Sequence, residues 1–291
     1  MTVLEAIQKS TEFLAKKGVE SPRLQIELLL AHLLKMPRMK LYLNFERVLT
    51  PAETDALREL VKRRGRREPL QHITGSISFC GLEIAVNRHA LVPRPETELL
   101  AEAGWQLLST LNLQPSTVLD FGTGTGCIAI ALAVKCPQAI IMATDVSAEA
   151  LALAKENAVR HNVAGQIRFL QGDGFTIFPT DASFDLIVSN PPYIPSAEIA
   201  TLQPEVRDFD PCAALDGGVD GLDFYRRLAV EAKSFLKPNG KIMLEFGDGQ
   251  DRTIRNIFEA EKWIVEAVKE DYSHRARILI ATSSSSSRSS S

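Results

Sequence analysis

Val118-Leu119-Asp120-Phe121-Gly122-Thr123-Gly124-Thr125-Gly126 sets a glycine-rich turn between a short apolar run and an apolar stretch that opens at Cys127. An apolar run of this length reads as a buried strand, and glycines after it permit a tight turn and close approach of backbone to a ligand. The spacing is GxGxG, not the GxGxxG of dinucleotide enzymes, so the loop alone does not name its guest. Further candidate strands follow at Ala139 to Ala143, Ile167 to Leu170, Leu186 to Val188 and Lys241 to Glu245, with helical stretches from Cys127, Ala148, Gly221 and Gln250 between and after them. That alternation predicts an α/β fold with a mostly parallel, doubly wound sheet. Trp263 to Val268 and Arg277 to Ala281 come with no helix between them and predict an antiparallel pair at one edge.

Ligands of such sheets bind at the carboxyl ends of the strands. The second strand ends at Asp145, 23 residues after Gly122, where a carboxylate can accept bonds from ribose hydroxyls. The third ends in Gly172-Asp173-Gly174-Phe175, where a carboxylate and a ring can face an adenine. Each has a plainer reading: Asp145 as a helix cap, Asp173 as a turn residue. The fourth runs through Phe184-Asp185-Leu186-Ile187-Val188-Ser189 into Asn190-Pro191-Pro192-Tyr193. Two prolines fix φ and donate no N–H, and Pro191 keeps Asn190 out of the helical region, so the chain must turn a rigid, extended corner. A bare Pro-Pro is ordinary loop punctuation. With Asn before it and Tyr after it, the corner offers acceptors beside an aromatic face, which suits a planar group bearing NH2. Glycine loop, Asp145, Asp173 and Asn190 thus fall at four successive strand ends, a coincidence the plainer readings do not explain. No GxxxxGK[ST] phosphate loop is present, and the neutral glycine turn suits a ligand without pyrophosphate, such as S-adenosylmethionine.

The 291 residues, 45% apolar and 24% charged, have the composition of a globular protein with one large or two modest domains. No apolar run reaches bilayer length and the first residues do not read as a signal peptide, so cytoplasmic residence without membrane contact is expected. Cys80, Cys127, Cys136 and Cys212 have no CxxC spacing, so neither a metal site nor a disulfide framework is expected.

The net charge of −3 is unevenly spread: residues 1–92 hold 15 Lys and Arg against 10 Asp and Glu, the remainder 18 against 26. Helix-start signals at Thr2-Val3-Leu4-Glu5, Ser21-Pro22 and Thr50-Pro51-Ala52-Glu53 predict a small helical domain over 1–67. Its last stretch, Lys62 to Arg67, reads either as a solvated helix end or as a surface for an anionic partner such as RNA. Residues 68–92 predict a β-hairpin linker, residues 93–282 the main α/β domain, and the Ser-rich 283–291 a disordered tail.

The chain closely resembles the release-factor glutamine methyltransferases, the HemK/PrmC family. The resemblance rests on Arg67-Glu68-Pro69-Leu70-Gln71, Val92-Pro93-Arg94-Pro95-Glu96-Thr97-Glu98, the Val118 to Gly126 loop, Asn190 to Ile194, and Gly217-Gly218-Val219-Asp220-Gly221-Leu222-Asp223-Phe224-Tyr225. It implies a class I S-adenosylmethionine-dependent methyltransferase fold. It also implies methyl transfer to the side-chain amide nitrogen (N5) of the glutamine in the Gly-Gly-Gln tripeptide of class 1 peptide chain release factors, leaving S-adenosylhomocysteine. By position, Gly122, Thr123, Gly124, Thr125, Gly126, Asp145, Asp173, Gly174 and Asn190 would bind the cofactor, while Asn190, Pro191, Pro192 and Tyr193 would bind the glutamine amide and promote transfer. At Gly174 many relatives carry a larger side chain, and Phe175 is the expected substitute. A monomer is expected. The alternative is an amino-methyltransferase acting on adenine N6 or cytosine N4 of a nucleic acid, with Lys62 to Arg67 touching the strand.

Overall fold

The computed structural model describes residues 1–110 and 115–283, which fall into two compact units. The first comprises Met1–Ser76 together with Leu202–Phe209, the second Ile77–Thr201 with Asp210 onward. Residues 284–291 of the expected tail lie outside the described residues, and Ser283 is the last residue of a strand.

In the first unit, helices α1 (Val3–Lys16), α2 (Pro22–Leu33), α3 (Arg38–Leu41), α4 (Pro51–Gly65) and α5 (Leu70–Thr74) enclose a core of residues such as Ile7, Leu14, Leu29, Leu30 and Leu57. Capping boxes start α1 and α4: Glu5 N donates to Thr2 Oγ1 at 3.2 Å while Thr2 N donates to Glu5 Oε2 at 3.0 Å, and Thr50 and Glu53 repeat the exchange. These reciprocal bonds satisfy N–H groups that no helical carbonyl can reach. Ser21 precedes α2 as expected, but at φ 46° its hydroxyl makes no cap bond, so Pro22 at the first helical position carries that start. The segment Leu202–Phe209 had no counterpart among the sequence expectations. Its Glu205 accepts from Arg64 Nη2 at 2.7 Å and from Arg67 Nε and Nη2, both at 2.6 Å.

The second unit holds a hairpin, β1 (Ser76–Phe79) and β2 (Leu82–Ala85), and a seven-stranded sheet. The sheet strands are β3 (Thr117–Phe121), β4 (Ile140–Asp145), β5 (Ile167–Gln171), β6 (Phe184–Ser189), β7 (Leu236–Glu245), β8 (Trp263–Glu270) and β9 (Ala276–Ser283), in the order β5-β4-β3-β6-β7-β9-β8. The first five run parallel; β9 is antiparallel to both β7 and β8, which makes the antiparallel edge. Alternate residues along a strand feed two cores. Val118, Leu186 and Val188 join helices α6 (Pro95–Thr110) and α7 (Cys127–Lys135), whereas Leu119, Ile187 and Leu244 join Tyr225, Leu228 and Phe258. Those last three sit on α9 (Asp223–Glu231) and α10 (Asp251–Ala260), while α8 (Ala148–Arg160) follows β4. Helices on both faces explain why β6 is buried at every residue, and why such strands read as apolar runs without alternation. The fold is the Rossmann-like methyltransferase class, with an N-terminal helical domain. Its strand order reverses between β3 and β6, and that reversal opens a crevice at their carboxyl ends.

Candidate active site

A cavity of about 360 Å³ opens at this crevice, within the usual range for a small-molecule site. The Gly122 to Thr125 turn, Asp145, the Asp173-Gly174 turn and Asn190-Pro191-Pro192 all stand on its wall. The glycine turn is shaped by the neighbouring strand: Gly122 N and Thr123 N both donate to Thr144 O, at 2.9 and 2.8 Å, and Gly126 N closes on Thr123 O at 2.8 Å. Gly122 has φ +75°, and a Cβ there would meet nothing within 4 Å. The backbone therefore faces open space, which suits a ligand lying against it. Gly126, φ +81°, answers a different need. A Cβ would sit 3.0 Å from that of Ala154, so glycine lets the start of α7 pack directly on α8.

Asp145 does not cap α8; Ser147 does, accepting from Ala150 N at 3.1 Å. The Asp145 carboxylate instead takes Gly124 N on Oδ2 and Ser147 N on Oδ1, both at 2.9 Å. Each oxygen keeps a lone pair. Beneath the loop, Asp120 is fully buried and accepts from Thr123 Oγ1 at 2.6 Å and Ala129 N at 3.2 Å, while its Oδ1 has no partner. Burial pushes its carboxyl up to about 7.

At the end of β5, Asp173 is mostly exposed and bonded to Arg227 Nη1 at 2.5 Å, with Arg227 Nη2 donating to the Asp173 carbonyl at 3.2 Å. Phe175 does not reach the cavity, contrary to expectation. Gly174–Ile177 forms a 3-10 turn that swings its ring into the core, where it stacks on Phe235 at 4.8 Å and 17° and tilts against Phe121 at 5.3 Å. The side chain that stands beside Gly174 is Arg227, itself on the cavity wall.

Asn190 donates Nδ2 to Thr97 Oγ1 at 3.1 Å, and Ser189 Oγ donates to Phe121 O at 2.6 Å, tying β6 to the glycine-loop strand. Tyr193 is the one member of Asn190 to Tyr193 that does not line the cavity. Its ring packs with the core beside Gly247, where a Cβ would lie 2.9 Å from Cδ2, and its carbonyl accepts from Gln250 Nε2 at 3.0 Å. The corner is clasped from behind by the 215–221 segment: Ile194 N donates to Leu215 O, Gly217 N donates to Ile194 O, and a Cβ on Gly221 would stand 2.3 Å from the Tyr193 carbonyl. Gly221 is thus what lets the two backbones meet. Arg94 donates to Asp210 at 2.8 Å, so both arginines of the wall, Arg94 and Arg227, are committed to carboxylates. Burial pushes the Cys127 thiol far up, leaving no thiolate nucleophile there.

Residues 5–75 match the PrmC N-terminal domain and residues 100–203 the Methyltransferase small domain. The release factor glutamine methyltransferase of Geobacter sulfurreducens is 45% identical over 259 residues, covering 88% of each chain, and that of Chlorobaculum tepidum is 41% identical over 284 residues, covering 96% of each. The chain belongs to the release factor glutamine methyltransferase family. A solved methyltransferase from Pyrococcus furiosus shares the fold of this methyltransferase with a TM-score of 0.51 at 22% identity, covering 76% of this chain and 97% of that one.

Three residues at the methyltransferase site were not singled out by sequence reasoning. Asp120 sat unread inside the glycine-loop motif and Thr97 inside the Pro95 to Glu98 run, while Arg227 carried no signal, since it approaches Asp173 from 54 residues away. Among the described residues, no helix is long and apolar enough to cross a membrane, and no group of three His, Cys, Asp or Glu is placed to hold a metal ion.

Proposed function

We propose that this methyltransferase moves a methyl group from S-adenosylmethionine to the side-chain amide nitrogen of the glutamine in the Gly-Gly-Gln tripeptide of class 1 release factors. The observation that carries the reading is the meeting of the glycine turn, Asp145 and Asn190-Pro191-Pro192 on one cavity wall. The residues present fit that cofactor. The open face of Gly122 would accept its amino-acid end, the spare lone pairs of Asp145 its ribose hydroxyls, and the Asp173-Gly174 turn with Arg227 its adenine. A pyrophosphate would find neither arginine of the wall uncommitted, because Arg94 and Arg227 are both paired.

When bound, S-adenosylmethionine supplies a methyl group on a positively charged sulfur. Asn190 Oδ1 and the Pro191 carbonyl would accept the two amide N–H bonds of the glutamine. Holding both restrains delocalisation of the nitrogen lone pair and aims it at the methyl carbon. Transfer to the nitrogen held there would exchange the S–C bond for an N–C bond, and the proton that methylation makes acidic would pass to solvent. Tyr193, packed behind the corner, keeps it rigid. The helical domain over 1–67 would dock the body of the release factor, since one tripeptide offers little contact area.

Transfer of label from S-adenosylmethionine tests the reading, with purified release factor, its Gln-to-Ala tripeptide variant, total RNA and total DNA offered side by side. Label on the wild-type factor alone is expected. Label on nucleic acid would move the same chemistry to a base amine. Against that alternative, Lys62, Arg63, Arg64 and Arg67 each pair with a carboxylate of their own unit, which reduces the free positive charge of the basic run.

A further inference from the structure

Glu245 is a buried carboxyl that the transfer chemistry does not use. It closes β7, which runs parallel to β6 with Ser189 opposite Leu244; Glu245 is the next residue of β7 and Asn190 the first residue after β6, so both stand at the carboxyl lip of the sheet. Only 2% of Glu245 is exposed. Its backbone carbonyl accepts the Tyr225 hydroxyl at 2.8 Å, and Oε2 has no partner among the described residues. Thr97, also buried, stands in the first turn of α6 and accepts Asn190 Nδ2 at 3.1 Å, and both side chains act against the rise that burial imposes on the Glu245 carboxyl.

A side-chain amide has two ends, an NH2 that only donates and an oxygen that only accepts. An ionised carboxylate only accepts. A threonine hydroxyl that receives an N–H spends its own proton on the next acceptor. The sequence Asn190 NH2, Thr97 hydroxyl, Glu245 carboxylate therefore runs in one direction, and reversing the amide would set its oxygen against acceptors. We propose that Thr97 and Glu245 form a positioning pair that locks the Asn190 amide with NH2 inward, so that Oδ1 is presented to the N–H of the substrate amide. The pair rests on the reading of Asn190 as an acceptor for the substrate.

The lock depends on charge. Burial, with Glu96 adding to it, raises the Glu245 carboxyl to about 7, while Thr97, Arg277 and Asn190 oppose the rise. Tyr193 and Tyr225, the other titratable neighbours, both hold their protons well above that range because burial raises them further. Above about pH 7 Glu245 is ionised and the amide has one favoured orientation. Below it, a protonated Glu245 can donate, and the reversed amide is no longer penalised.

The test is steady-state kinetics on intact release factor, with S-adenosylmethionine affinity measured separately by titration calorimetry. In Glu245→Gln the acceptor-only end is lost. Its kcat should fall by about tenfold or more, with KM and cofactor affinity within about threefold, since only an orientation realised in the transfer step is removed. The wild-type rise of kcat through pH 7 should disappear in the same variant. Thr97→Val should lose turnover and Thr97→Ser, which keeps the hydroxyl, should recover most of it; that contrast separates positioning from mere packing. Wild-type kcat and an unaltered pH profile in Glu245→Gln would overturn the proposal, as would Thr97→Ser behaving like Thr97→Val. Asn190→Ala in the same assay tells the two readings apart: turnover surviving it would remove the Asn190 reading itself, whereas loss there with none in Glu245→Gln and Thr97→Val would remove only the pair.

Discussion

Arg227 lies where a side chain on Gly174 would stand: a Cβ built at Gly174 falls 2.2 Å from Arg227 Nη2. The guanidinium is held there by Asp173 on one side and by Glu231 on the other, at 3.1 Å. A planar cation fixed on the wall of a nucleoside site can stack on a base, which a flexible ammonium does poorly. Arg227→Ala is expected to weaken binding of S-adenosylmethionine and S-adenosylhomocysteine alike, by about fivefold, the scale of one partly exposed cation–π contact. Calorimetry checks it, with kcat at saturating cofactor changing far less. Arg227→Lys should not restore the affinity.

Asn190→Ala separates transfer from cofactor binding. The cofactor wall depends chiefly on the glycine turn and Asp145, whereas the amide of the substrate depends on Asn190. The variant should lose about a hundredfold or more in kcat with cofactor affinity changed by less than about threefold, as expected when an interaction made only during transfer is removed. Equal losses in both would refute the division of roles.

Asp120 makes the fold sensitive to pH in a direction opposite to most carboxylates. Its folded-state value, about 7, lies above the ordinary 3.8, so between those limits the folded chain holds a proton that the unfolded chain releases. Stability from this group is therefore full at low pH and declines as pH rises from about 4 to 7. In Asp120→Asn that component vanishes. Urea midpoints at pH 5 and pH 7.5 should show a more favourable change on going to the higher pH in the variant than in the wild type; identical changes would sink the assignment.

Glu205 holds two arginines, one of them, Arg64, only 5% exposed in its side chain. Glu205→Ala leaves that guanidinium buried without its carboxylate. The loss should be about 3 kcal/mol in the stability of the helical unit, the low end for breaking a buried pair. Thermal unfolding reads it, with Arg58→Ala, whose pair with Asp55 is exposed on both sides, as the neutral comparison.

Met39 and Leu43 are exposed apolar side chains of the helical unit, at 67% and 85%. If that unit docks the release factor, replacing both with Asp should raise KM for the factor several-fold and leave cofactor affinity alone. Unchanged KM would take these two residues out of the docking surface.

The sheet was legible in the amino-acid sequence because its central strands are buried on both faces and therefore read as continuous apolar runs, as at Leu186 to Val188. The strand-end residues followed from that, since a parallel sheet puts every βα turn on one edge. What could not be read were contacts without periodicity. Arg67 and Glu205 are 138 residues apart, and no local pattern announces their pairing. Phe175 was misplaced for a local reason. A ring after Asp-Gly can turn toward either a ligand or the core, and a 3-10 turn of four residues decided for the core. Tyr193 is similar: the prolines fix where its backbone goes, but the glycines at 221 and 247 decide how deeply its ring sinks.

Because Leu202–Phe209 belongs to the helical unit, the polypeptide passes between the units three times, near residues 76, 201 and 209. The N-terminal helices are consequently not a cassette that can be cut off or exchanged by splicing at one linker. A graft that brings in a foreign helical domain up to residue 76 inherits Glu205 without its arginines, or arginines without Glu205, unless residues 202–209 travel with it. Chimeras between family members should therefore succeed or fail by whether both pieces come from the same parent.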